Sequence, residues 1–175
     1  MNNIRWLLVI FSLLILLGSS WFSWQKWRSA QSGEVDEQNC ASLQSVADHS
    51  QTEIRVGEQV LQVEVVNTSA SITQGLSGRS KIGSDGLLFV LVPPRTPGFW
   101  MKEMQFNLDL IWISQGQVVQ VDRGVAAPDP SQRLNELPVY RPAVAVDFVL
   151  EVVAGQAEAW GIEPGKKISC KKSSV

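Results

Sequence analysis

Along most of the chain, short apolar runs alternate with turn residues. Leu61, Val63 and Val65 alternate with Gln62 and Glu64, the period of a half-buried strand. Gly57-Glu58 suits a tight hairpin turn between Ile54–Val56 and that strand. Leu87–Val92 is apolar throughout, and Leu108–Ser114 and Gln117–Val125 are joined by Gln115-Gly116, the clearest hairpin signal present. Val144–Val153 forms a further strand interrupted by Asp147, and a last short strand lies near Lys167–Cys170. Phe99–Lys102 resumes the sheet after an open loop of Pro93, Pro94, Pro97 and Gly98, which no central strand could include. Helical signals are few. Thr68 or Ser69 caps a short helix over Ala70–Leu76 closed by Gly78, and Ala154–Trp160 holds one turn ended by Gly161. Ala126–Pro142 is a proline-punctuated loop long enough to be functional or mobile. Many short strands with little helix predict a mainly β domain: a single compact antiparallel barrel or a jelly-roll-like sandwich with one or two short helices.

A different pattern precedes that domain. Trp6–Gln25 carries no charge, and Trp6–Leu17 is almost wholly apolar. Twenty residues is about the length needed to cross a hydrocarbon core, which predicts an N-terminal transmembrane helix. Trp21, Trp24 and Trp27 beside Lys26 and Arg28 suit a membrane–water interface and favour an uncleaved anchor. The alternative is a cleaved signal peptide, with Gly18, Ser19 and Ser20 at the cleavage site. Ser29–Thr52 is rich in Ser, Gln, Ala and acidic residues, as a linker is, with a helical turn near Cys40–Ala47. The predicted organisation is a membrane anchor or signal sequence over 1–28, a polar linker over 29–52, a β domain over 53–170 and a basic tail over 171–175. The membrane is then the partner of residues 6–25, and the domain lies outside the cytoplasm, or is secreted if the segment is cleaved.

Charge removes several function classes. The net charge is −2, and setting aside Arg5, Lys26 and Arg28 leaves 12 basic against 17 acidic residues from Ser29 onward, a net of −5. A mildly acidic domain with no basic stripe is poorly suited to nucleic acid. His49 is the single histidine, so neither a His-based triad nor a His-rich zinc site can be built, and no metal or cofactor is expected. Cys40 and Cys170 flank the domain; in an exported chain such a pair reads as a disulfide, with two unpaired thiols as the alternative.

The stretch Gln74–Ile113 sets three charges, Arg79, Lys102 and Asp109, among apolar runs. A buried ion costs several kcal/mol or more unless paired, so these three must meet one another or line a cleft. The bland expectation is a structural ion pair, with Asp109 accepting from Lys102 or Arg79. A second is a polar floor for a ligand beneath Trp100, and a third is a catalytic Lys/Asp pair. Ser77 lies between Gly75 and Gly78 but lacks both a strand–Ser–helix setting and a histidine to activate it.

Several ordered motifs resemble the family known as domain of unknown function 192. They are Gly75–Arg79 (GLSGR), Gly86–Phe89, Phe99–Lys102 and Leu108–Ile111, followed by Pro142-Ala143, Val149–Val152, Ala154-Gly155, Gly161-Ile162 and Gly165. The resemblance spans about Val63–Ile168 and implies a compact, mainly β, often exported domain with no established activity. Departures occur at Ser77, where the family usually has Met, at Glu103-Met104, where it has Asn-Thr, and at Asn107, where it has Pro. Two function classes follow. One is a membrane-anchored extracytoplasmic binding or interaction module for an envelope component or small polar ligand. The other is an enzyme of unknown reaction using Lys102, Asp109 and Arg79 beside Trp100.

Overall fold

The computed structural model describes residues 35–36 and 40–171. The expected anchor or signal segment over 1–28, the first part of the linker and the last four residues of the basic tail lie outside the described residues. Among the described residues, no helix is long and apolar enough to cross a membrane.

Hydrophobic periodicity translates into one curled sheet. Its strands are β1 (Val35–Asp36), β2 (Gln51–Val56), β3 (Gln59–Val66), β4 (Gly86–Arg95), β5 (Leu108–Ser114), β6 (Gln117–Val125), β7 (Val146–Val153) and β8 (Ile168–Lys171). They lie in the order β1-β8-β2-β3-β4-β7-β5-β6. Two hairpins follow local turn chemistry. Gly57 takes a positive φ of 59° between β2 and β3, and Gln115 (51°) with Gly116 (74°) forms the left-handed pair that a two-residue hairpin needs.

The sheet is mixed, which corrects the expectation of an antiparallel barrel or a jelly-roll sandwich. β3 and β4 run parallel, with Val63 opposite Gly86 and Val66 opposite Phe89. A parallel pair cannot be joined by a tight turn, so the chain must cross over the sheet between them. The crossover carries α1 (Ser69–Gln74), whose N-cap Thr68 accepts from the Ser71 N–H at 3.1 Å and whose end is set by Gly75. A second short helix, α2 (Gln156–Ala159), follows β7. The result is a half-barrel. At one end its margins meet, where the Val118 N–H donates to the Lys166 carbonyl at 2.8 Å and the Ile168 N–H to Gly116 at 2.9 Å.

Both faces of the central strands are covered, which is why Leu87–Leu91 is apolar without alternation. Leu88, Val90, Ile111, Ile113, Leu150 and Val152 point into the curl and pack with β2 and β3. Leu87, Phe89, Leu108, Leu110, Trp112 and Val149 point outward beneath the crossover and the long loops. Gly86 lets β4 approach β7: a side-chain carbon there would sit 2.8 Å from Leu150 Cδ1 and 2.9 Å from the Glu151 carbonyl oxygen.

Three local expectations change. Pro93 and Pro94 fall formally within β4, but pairing with β7 lapses between Val90 and Arg95, so the prolines occupy a bulge. Phe99–Lys102 contributes only an isolated bridge, Phe99 with Tyr140, because the flanking prolines leave no run to pair. Strand structure also begins earlier than Glu53: β2 starts at Gln51, and Val35–Asp36 pairs with β8.

Cys40 and Cys170 are joined by a disulfide, with Cα atoms 5.3 Å apart across 130 residues of sequence. Both are fully buried and belong to the core inside the curl. Closing so long a loop stabilises the fold by about 4–5 kcal/mol in the chain-entropy picture.

Candidate functional site

The three charges do not converge. Asp109 is fully buried at the start of β5, but among the described residues neither lysine nor arginine reaches it. Its Oδ1 accepts from the Gly124 N–H at 2.8 Å, and its Oδ2 accepts from Gly155 at 2.9 Å and Ala157 at 3.1 Å. Backbone donors therefore do what a cation was expected to do. Gly124, at φ 61°, turns its N–H inward where β6 bulges opposite Asp109, and Gly155 opens α2 at φ 89°. The carboxyl ties three segments together and is structural.

Arg79 instead forms a two-pronged pair with Glu64 of β3, at 2.6 and 2.8 Å. The guanidinium hydrogen bonds hold the Glu64 carboxyl below its usual range, and Glu64 in turn raises Arg79. His49 Nδ1 adds a contact to Glu64 at 2.9 Å. This pair fastens the crossover to the sheet. Lys102 is half-exposed and lies 3.6 Å from Glu103, its immediate neighbour, a contact worth little in water.

Trp100 does border a cleft. It has a volume of about 370 Å³, within the range of small-molecule sites. One wall is α1 with the turn through Ser77; the other is the segment from Arg95 to Met104; the floor is Phe89, Leu108 and Glu151 of the sheet. The walls are stitched together away from the floor. Ser77 Oγ donates to the Lys102 carbonyl at 2.9 Å, and the Gly78 N–H donates to Glu103 at 3.0 Å. Glu103 holds a left-handed φ of 57°, a conformation asparagine tolerates well. The asparagine that the resemblance implies at this position therefore has a backbone reason to be there. Met104, where threonine is usual, lines the cleft and makes this version of it more apolar.

Phe99 is wedged edge-on between Phe89, 4.9 Å away, and Trp112, 5.4 Å away. With Phe99 fixed inward, its neighbour Trp100 stands at the mouth, 50% exposed. That exposure distinguishes it from Trp112, which is fully buried with its indole N–H donating to Asp122 at 2.8 Å.

Glu151 is the residue that sequence reasoning passed over. It sits in the middle of β7, paired with Leu87 on one side and Leu110 on the other, and is 6% exposed. Burial pushes its carboxyl up to about 8, and among the described residues no partner offsets it. At neutral pH it therefore holds its proton and can donate a hydrogen bond. The available signal was the motif Val149–Val152 itself, one acid inside an apolar strand.

The half-barrel thus carries on its outer face a cleft with a neutral acid at the floor and an aromatic at the mouth. Residues 52–170 match the model of the family described as uncharacterised ACR, DUF192, and the chain belongs to that family. Two solved structures share the fold. A protein of unknown function from Novosphingobium aromaticivorans is 25% identical with a TM-score of 0.60, covering 73% of this chain and 96% of its own. A protein from Sinorhizobium meliloti described as a putative transcription regulator is 22% identical with a TM-score of 0.61, covering 70% and 95%. No curated protein matches the sequence.

Two outcomes separate the roles of the buried acids. Asp109→Ala strands three backbone donors and should lower the unfolding free energy by about 3 kcal/mol or more. Asp109→Asn should also destabilise, since either amide orientation opposes N–H to N–H. Lys102→Met should be nearly neutral and should not rescue Asp109→Ala in urea denaturation.

For Glu151 the sign is the reverse of an ordinary stabilising carboxylate. Its value rises from 4.5 to about 8 on folding, so between those limits the native state binds more protons than the unfolded chain. Stability should fall across that window as pH rises, by up to about 4–5 kcal/mol. Glu151→Gln should remove this loss, raising the Tm relative to wild type at pH 8 far more than at pH 4.5. Parallel Tm profiles for the two proteins would refute the assignment.

Proposed function

We propose that this protein is a small-molecule binding module tethered outside the cytoplasm, with the cleft between α1 and the Arg95–Met104 segment as its site. One observation carries the reading: Glu151 is buried at the floor of a preformed cleft of about 370 Å³, and among the described residues nothing pairs with its carboxyl. An unsatisfied acid in the middle of a sheet costs stability, and a bound ligand supplies the missing partner. Trp100 covers the mouth as a flat apolar surface. The catalytic alternative rested on Lys102, Asp109 and Arg79 acting together, and these occupy three separate settings.

Methionine methyl groups test the site directly. The chain has 3 methionines, and two of them, Met101 and Met104, line the cleft. A screen of small amphipathic fragments against full-length protein labelled at the methionine methyls should shift those two signals and spare Met1. Filling the cleft with Leu76→Trp should abolish both shifts, and Met104→Trp should abolish the shift of the remaining Met101 signal. A screen in which no fragment moves either methyl overturns the reading.

Two features support the extracytoplasmic placement: the uncharged stretch Trp6–Gln25 and the Cys40–Cys170 disulfide, a bond that persists in oxidising compartments. Alkylation of intact cells without reductant should leave both cysteines unmodified. Free, alkylated thiols in freshly quenched cells would place the domain in the cytoplasm instead.

A further inference from the structure

Charge around the cleft is one-sided. Its lining includes two ionisable side chains, Arg95 at the end of β4 and Glu151 of β7; α1 with its following turn and β5 contribute none. Arg95 is exposed at the rim, and among the described residues no carboxylate lies within ion-pair distance of it. A second arginine stands close by: a side-chain carbon built at Gly98 of the cleft wall would come within 3.0 Å of the Arg141 guanidinium carbon. The acid at the floor keeps its proton at neutral pH, so the lining is positive at the rim, neutral and hydrogen-donating at the floor, and apolar between.

We propose that the ligand is a small organic acid, its anionic group paired at the rim by Arg95 and its apolar body seated between Phe89, Phe99, Met101 and Met104. This rests on the binding role given above for the same cleft. An oxygen of the ligand that reaches the floor accepts from the Glu151 carboxyl, which in its neutral form does not repel the negative charge. An amine would have to displace the proton from Glu151 and enter past the arginines, and the balance of charge disfavours it. A neutral alcohol gains from the apolar walls and the floor but nothing at the rim.

Three probes of equal length decide the matter: 3-phenylpropionate, 3-phenylpropan-1-ol and 3-phenylpropylamine, titrated into full-length protein with the Met101 and Met104 methyl signals as readout. The acid should bind best at pH 7, by about tenfold over the amine, since ionising a group one unit above ambient pH already costs that factor. Arg95→Gln should weaken the acid by about fivefold, the scale of an exposed ion pair, and leave the alcohol unchanged. Raising the pH from 7 to 9 ionises Glu151, so affinity for the acid should fall in wild type and stay flat in Glu151→Gln. Tighter binding of the amine, or indifference of the acid to Arg95→Gln, overturns the proposal. If all three probes bind alike, the cleft is a binding site but not one for acids; if neither these nor any other fragment moves the two methyls, the binding role itself fails.

Discussion

The constraint on which the rest depends is that β4, β5 and β7 are buried on both faces. A strand so placed has no solvent side on which to leave a charge, so each polar group on it needs its own local solution. Asp109 and Glu151 show the two solutions available. Asp109 stands opposite Val152 and Glu151 opposite Leu110, one residue apart in register and on opposite faces of the sheet. The first faces the closed interior and is satisfied by backbone donors from a strand bulge and a helix start. The second faces the cleft, where among the described residues no group hydrogen-bonds to its carboxyl, and keeps its proton.

The outer face is built from less regular material, and side-chain contacts hold it together. The Arg79–Glu64 pair fixes the far end of the crossover to β3, while Ser77 and Gly78 tie its middle to the Lys102–Glu103 backbone. Phe99 anchors the opposite wall by packing between Phe89 and Trp112. The walls are thereby positioned by the protein's own contacts. Inside the curl, the disulfide between Cys40 and Cys170 joins the start and end of the described domain.

Much of the frame was legible in the sequence. Both tight hairpins, the Thr68 cap and most strand segments follow from local pattern, because turn chemistry and period-two alternation act over a few residues. The parallel β3–β4 pairing was not legible, since strand direction is set by where a crossover returns rather than by anything within either strand. Asp109 was correctly picked out as a buried acid in need of partners, but its donors are backbone N–H groups, which leave no mark in the sequence. Glu151 was overlooked for a related reason. Next to Val152 and Leu150 it resembles the surface acid of an alternating strand, and only the covering crossover makes it buried.

That crossover has a consequence for how such a protein can change. Had β4 followed β3 through a hairpin, the outer face would have been left open, and the cleft exists because a parallel pairing obliges the chain to travel back over the sheet. One wall is therefore connection, and the other is a loop between β4 and β5, while the hydrogen-bond ladder lies beneath both. Apart from Arg95, which stands opposite Val146 in the β4–β7 pairing, the wall residues lie outside the paired strands. The walls and the ladder are largely separate parts of the chain, so the upper lining of the cleft can vary at little risk to folding, while its floor of Phe89, Leu108 and Glu151 is fixed by the sheet.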